Sequence, residues 1–215
     1  MHAWIGISIS LVALTISAAT AWFTLFHRGR LLMTQPTSIF FGPDGSHFEG
    51  AESKIYLRTL LYSSSRRGQV VESMFVTIQR GETKQNFSIW VHGGRKNDLS
   101  RGSGLFVAHE GITLNHHFLL PPDGSTFSFL AGNYRLSVYA KLVGATSPMK
   151  LAEIPLVISE SQAARMQKAN TGLFYDWGPD QGSYFSHIDV RPPSNFDKAL
   201  EMMANLNPDQ GNGDA

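Results

Sequence analysis

Asn133-Tyr134-Arg135-Leu136-Ser137-Val138-Tyr139-Ala140-Lys141-Leu142 alternates polar and apolar residues without a break. Successive side chains on a β-strand point to opposite faces, so the stretch reads as part of a strand, Asn133–Val143, with one dry face and one wet face. Tyr134, Leu136, Val138, Ala140 and Leu142 face a core, and Asn133, Arg135, Ser137, Tyr139 and Lys141 face water. Similar segments lie on either side of it. Lys54–Tyr62, Val70–Gln79, Thr83–His92, Ser103–His109, Ile112–Leu119 and Met149–Ile158 are rich in β-branched and aromatic residues. Turn chemistry separates them: Arg67-Gly68, Arg80-Gly81, Gly93-Gly94, Glu110-Gly111, Pro122-Asp123-Gly124 and Gly144. Strands in series without helices between them predict an antiparallel sandwich or barrel over residues 54–158.

The residues just before the opening strand sharpen this choice. Leu130-Ala131-Gly132-Asn133-Tyr134 resembles the corner that precedes the penultimate strand of immunoglobulin-like sandwiches. There a tyrosine hydroxyl bonds back to the preceding loop and a glycine lets the chain turn. The resemblance covers about 30 residues, 127–158. It implies a mostly β, immunoglobulin-like sandwich of seven to eight strands. It implies no function, because this fold hosts many.

Upstream, Ala3–Phe26 is a run of 24 residues without a charge. As a helix it would extend about 36 Å, enough to cross a hydrocarbon core of about 30 Å. Trp4 at one end and Trp22, Phe23 and Phe26 at the other suit the two interfaces, and His27, Arg28 and Arg30 end the run. Ala19-Thr20-Ala21 has the small-x-small form of a signal-peptidase site. However, no Lys or Arg precedes the run, and the apolar residues continue past the cut. Residues 1–30 are therefore expected to be an uncleaved single-pass anchor with a basic flank. Arg28 and Arg30 favour a cytoplasmic sandwich over an exported one.

Residues 31–53 read as a linker holding a first short strand at Ser38-Ile39-Phe40-Phe41. Residues 159–215 read as an irregular tail. It would hold a helical turn or two after Ser159 and a short helix over Asn195–Asn205 capped by Ser194. Phe174, Tyr175, Trp177, Tyr184 and Phe185 put five large aromatics within twelve residues of this tail, which is costly to leave in water.

Charge divides along the same boundaries. The chain of 215 residues has 18 Lys and Arg against 17 Asp and Glu, a net charge of +1. Residues 54–158 nevertheless carry +6 and residues 159–215 carry −4. A basic sandwich with an acidic, aromatic tail suggests contact between the two, with the tail as a lid. It also suggests contact with anionic lipid head groups through Arg66, Arg67, Arg95, Lys96 and Arg101. No compact basic helix or nucleic-acid motif is present, so nucleic acid is not an expected partner.

The sequence carries no familiar catalytic signature. The chain has no cysteine, which excludes disulfides, thiolate metal sites and cysteine nucleophiles. It has no glycine-rich phosphate loop and no HExxH. His116 and His117 are adjacent, hence on opposite faces of a strand, and one metal ion would not readily take both. Arg101-Gly102-Ser103-Gly104-Leu105-Phe106-Val107 with Gly111–Phe118 resembles the opening strands of trypsin-like serine proteases, which would make His117 the catalytic histidine. The resemblance ends there. No Gly-x-Ser-Gly nucleophile follows, and 98 residues are too few for the rest of that double barrel.

These observations predict a membrane-anchored β-sandwich that acts as an interaction or assembly module, without a cofactor. Its expected partners are the bilayer, a protein partner or a second copy, and anionic head groups. Arg66, Arg67, Phe174, Tyr175 and Trp177 are the expected binding residues. The alternative is a ligand-binding domain or enzyme with a site near His109, His117 and Asp123.

Overall fold

The computed structural model describes residues 2–23, 29–44, 53–94, 99–121, 123 and 126–190. In chain order the elements are α1 (His2–Ala21), β1 (Leu31–Met33), β2 (Ser38–Pro43), β3 (Ser53–Ser63), β4 (Gln69–Arg80), β5 (Thr83–Phe87) and β6 (Ile89–Gly93). Then follow β7 (Ser100–Arg101), β8 (Leu105–Val107), β9 (Ile112–Leu119), β10 (Gly132–Leu142), β11 (Met149–Ile158), α2 (Glu160–Met166), β12 (Thr171–Gly178) and β13 (Ser183–Val190). The expected helix at Asn195–Asn205, together with Arg95, Lys96, Pro122 and Gly124, lies outside the described residues.

Within α1, Trp4–Ala21 is long and apolar enough to cross a membrane, a length and composition that also suit a signal sequence. Four of its hydroxyls are satisfied within the helix: Ser8, Ser10, Thr15 and Thr20 donate to the carbonyls of Trp4, Gly6, Leu11 and Ile16.

The rest is mostly β, in two antiparallel sheets. The larger runs β13-β12-β2-β3-β9-β6-β7, with β1 also against β3, and the smaller runs β11-β10-β4-β5, with β8 against β4. The alternation of β10 is realised in part: Tyr134, Leu136, Val138 and Ala140 are buried and Asn133 and Arg135 exposed, whereas Ser137, expected to face water, is buried and Tyr139, Lys141 and Leu142 are half-buried. Tyr134, Leu136, Val138 and Ala140 meet Ile39, Phe41, Ile55, Leu57 and Leu61 from the larger sheet in one core. Phe41 stacks on Phe129 at a centroid distance of 4.9 Å and meets Tyr134 edge-on at 6.4 Å. Without disulfides, this apolar burial carries the domain, at about 1.5–3 kcal/mol for each fully buried large side chain. The tyrosine corner forms: Tyr134 Oη donates to the Leu130 carbonyl at 2.7 Å, and Gly132 turns the chain with φ near 142°, where a side chain is strained.

Two expectations need correction. Thr83–His92 is not one strand: β5 lies in the smaller sheet and β6 in the larger, with the crossing at Ser88. Phe87 and Trp90 are both buried although three positions apart, which a straight strand cannot provide, so the chain bends between them. The tail is also not irregular between 171 and 190. β12 and β13 form a hairpin, and β12 pairs with β2 to extend the larger sheet. Leu173 and Tyr175 enter the core while Phe174 takes the other face, so the aromatics are strand residues rather than a lid. The helical turns expected after Ser159 are present as α2. It opens with a capping box in which Ser159 accepts from the Gln162 N–H and the Gln162 side chain accepts from the Ser159 N–H.

Candidate functional site

Antiparallel sheets usually turn a polar face to solvent. The outward face of the larger sheet does not follow that pattern. Ile39, Phe41, Leu57, Leu173 and Tyr175 point to the core, so the residues between them point out. The ladder sets those outward residues in a row across six strands. His187 is opposite Phe174, Phe174 opposite Phe40, Phe40 opposite Tyr56, Tyr56 opposite His117, and His117 opposite Val91. Rings meet along it. Phe174 stacks on His187 at 5.6 Å, Phe40 tilts against Phe174 at 4.7 Å, and Tyr56 against His117 at 5.0 Å.

Phe40 is 1% exposed although it faces away from the core. Two glycines allow this. A Cβ on Gly172 or on Gly42 would overlap the Phe40 ring, so only glycine lets it lie flat along the sheet. Lys54 covers the ring from one side at 5.9 Å and donates from Nζ to the Asp44 carbonyl at 3.0 Å.

A polar row runs beside the aromatic one. Asp176, Ser38, Arg58 and Asn115 are successive cross-strand neighbours. Ser38 Oγ donates to Asp176 Oδ1 at 2.9 Å, and His187 Nδ1 lies 3.4 Å from Asp176 Oδ2. Tyr56 Oη and Arg58 Nη1 both donate to Asn115 Oδ1, at 3.1 and 3.3 Å. Burial raises the pKa of the Tyr56 hydroxyl, against the opposing pull of Arg58, so Tyr56 acts here as a neutral donor. Ser38, Asp176 and His187 contain the residue types of a nucleophilic triad in the wrong order. The carboxylate sits between the hydroxyl and the imidazole, so His187 is placed to bond Asp176 and not to take the serine proton. The row presents fixed donors, acceptors and charges beside flat rings.

The expected site residues fall in several places. Arg66 and Arg67 are exposed in the β3–β4 turn. Phe174 is in the aromatic row. Tyr175 faces the core with its hydroxyl on the Val157 carbonyl at 3.0 Å, and burial pushes its pKa above the ordinary tyrosine range. Trp177 also faces inward, edge-on to Tyr184 at 5.1 Å. Among the alternative residues, His117 joins the row, but His109 and Asp123 lie beyond opposite ends of β9, so the three do not form one site. His109 Nδ1 bonds the Ser63 carbonyl at 2.9 Å.

His116 has the opposite setting to His117. It is fully buried, with Nδ1 accepting from the Trp90 indole N–H at 3.1 Å, which places the ring proton on Nε2. Nε2 has no hydrogen-bond partner. Burial, then the neighbouring His92 and His117, lower its pKa to about 3. It is a neutral core residue.

Sequence reasoning missed Phe40, Tyr56, Arg58, Asn115, Asp176 and His187. The available signal was the strand period itself: Tyr56 and Arg58 alternate with Ile55 and Leu57, and Phe40 with Ile39 and Phe41. The sequence matches no protein-family model, and no curated protein resembles it.

Proposed function

We propose that the chain is a single-pass membrane protein whose immunoglobulin-like sandwich stands on the cytoplasmic side and works as an interaction or assembly module. The aromatic row on the outer face of the larger sheet carries this reading. A row of half-exposed rings with fixed polar groups along one border is what a protein partner or a second copy of the chain would cover.

The fold assignment is supported by strand order. β2-β3-β9-β6 packs on β11-β10-β4-β5, the arrangement in which such sandwiches set strands A, B, E, D against G, F, C and C′. The Tyr134 corner at the start of β10 adds a second feature of that class. The anchor reading is supported by the length and apolarity of α1, and the cytoplasmic side by the arginines that follow it.

Photo-crosslinking tests the module. A benzophenone side chain replacing Phe185, which stands 48% exposed on the outer face, should yield one discrete adduct in membranes. The adduct should be either a dimer of the chain or a complex with one other protein. Adding Phe174→Glu should abolish it. No adduct, or an adduct that survives Phe174→Glu, refutes the assignment. A reporter fused after Ala215 tests the side: activity confined to the cytoplasm is expected, and activity outside it overturns that part.

A further inference from the structure

The path of the chain puts one end of the sandwich next to the anchor. After α1 the backbone is tied into the fold at Arg30, whose N–H donates to Ser64 Oγ at 2.7 Å and whose carbonyl accepts from the Ser64 N–H at 2.9 Å. Even fully extended, the chain between Phe23 and Gly29 reaches only about 20 Å. With α1 in a bilayer, the end of the sandwich that holds Ser64 therefore stays near the head groups.

That end carries an unusual surface. Val70, Phe106 and Val143 are 43%, 59% and 63% exposed. They are neighbours: Val70 is directly opposite Phe106, and the Val143 N–H donates to the Val70 carbonyl at 2.9 Å. The Phe106 ring lies over Gly68, where a Cβ would overlap it, and Gly68 has a φ of 72° that suits glycine. The ring is thus held in place at the surface by the β3–β4 turn. The same turn holds Arg66 and Arg67, both exposed. Glu110 stands in the β8–β9 turn, and Glu72, two residues beyond Val70 on β4, is paired with Lys141 at 2.9 Å.

We propose that Val70, Phe106 and Val143, with Arg66 and Arg67 beside them, form a foot that seats the sandwich on an anionic lipid surface next to the anchor. The apolar tips enter the interface and the guanidinium groups meet lipid phosphates. The foot rests on the reading of α1 as a membrane anchor. It fixes the sandwich upright, so that the aromatic face of the larger sheet runs away from the bilayer, open to a partner.

The chain has no cysteine, so single labels report single positions. Full-length Phe106→Cys, Val143→Cys and Val157→Cys variants would carry an environment-sensitive fluorophore. Each is reconstituted in phosphatidylcholine vesicles with and without phosphatidylserine, with brominated acyl chains as quenchers. Val157 is a matched control, 58% exposed at the other end of the sandwich. With phosphatidylserine, the labels at 106 and 143 should shift to the blue and be quenched, and the label at 157 should stay wet. Arg66→Ser with Arg67→Ser should reduce the quenching several-fold. Labels at 106 and 143 as wet as at 157, in a chain that resists alkaline extraction, overturn the foot and leave the anchor standing. Equal quenching without phosphatidylserine overturns the anionic contact. A chain released by alkaline extraction overturns the anchor and the foot together.

Discussion

His116 gives the sharpest test of the core. Its imidazole is buried among Trp90, His92 and Phe118, and its pKa is lowered from 6.5 to about 3. The unfolded chain binds a proton near pH 6.5, whereas the native chain binds it only near pH 3, so stability is present above 6.5 and is lost as the pH falls. By linkage, this one residue costs about 2 kcal/mol at pH 5 and about 3 kcal/mol at pH 4, relative to neutral pH. Carboxylates add their own acid dependence, so a difference measurement is needed. His116→Gln keeps an acceptor for the Trp90 indole N–H and removes the titrating ring. Urea unfolding of the full chain in detergent, followed by near-UV circular dichroism from pH 7 to 4, should give two diverging curves. Wild type should lose about 2 kcal/mol more than the variant by pH 5. Parallel curves would refute a neutral buried histidine, and a steeper variant would reverse the sign of the linkage.

Three further substitutions probe the elements that build the sandwich and its outer face. Gly172→Ala pushes a methyl group into the Phe40 ring and should cost about 1–3 kcal/mol in urea unfolding, with unchanged secondary structure by far-UV circular dichroism. Tyr134→Phe removes the bond to the Leu130 carbonyl and should cost about 1 kcal/mol, and a neutral result would mean that the corner does not hold the β10 turn. Ser159→Ala breaks the capping box of α2 and should cost about 1 kcal/mol. Amide exchange should then speed up in Glu160–Met166 and not in β10.

Local pattern made part of this fold readable. β10 is legible because polar and apolar residues alternate over its whole length, and Tyr134 because its corner places Gly and Tyr at a characteristic spacing. β9 begins and ends where expected because turn residues, Glu110-Gly111 and Pro122-Asp123-Gly124, bracket it in the sequence. The hairpin of β12 and β13 was hidden because Gly172-Leu173-Phe174-Tyr175 is apolar or small on both faces, so no alternation is visible. A strand reads that way when both of its faces are covered, here by the core on one side and by Phe40 on the other. The site was less legible than the fold. Phe174 and His117 were singled out, but His187, Phe40 and Tyr56 meet them only through the register of three strand pairs. Ser38 and Asp176 are 138 positions apart, and no spacing rule joins residues across that distance.

The hairpin and the candidate site are one construction. Without β12, strand β2 would be an open edge, and its Phe40 would lose the ring of Phe174 and the flat bed of Gly172. With β12 in place, the edge is moved to β13, whose Ser183, Ser186, His187 and Asp189 make it far more polar than β2. The same pairing sets Asp176 beside Ser38 and His187 beside Phe174, which completes both rows of the outer face. Residues 171–190 therefore protect the sheet and extend its surface in a single step. It follows that the outer face cannot be separated from the stability of the sandwich: a change that loosens β12 from β2 exposes Phe40 and dismantles both rows at once.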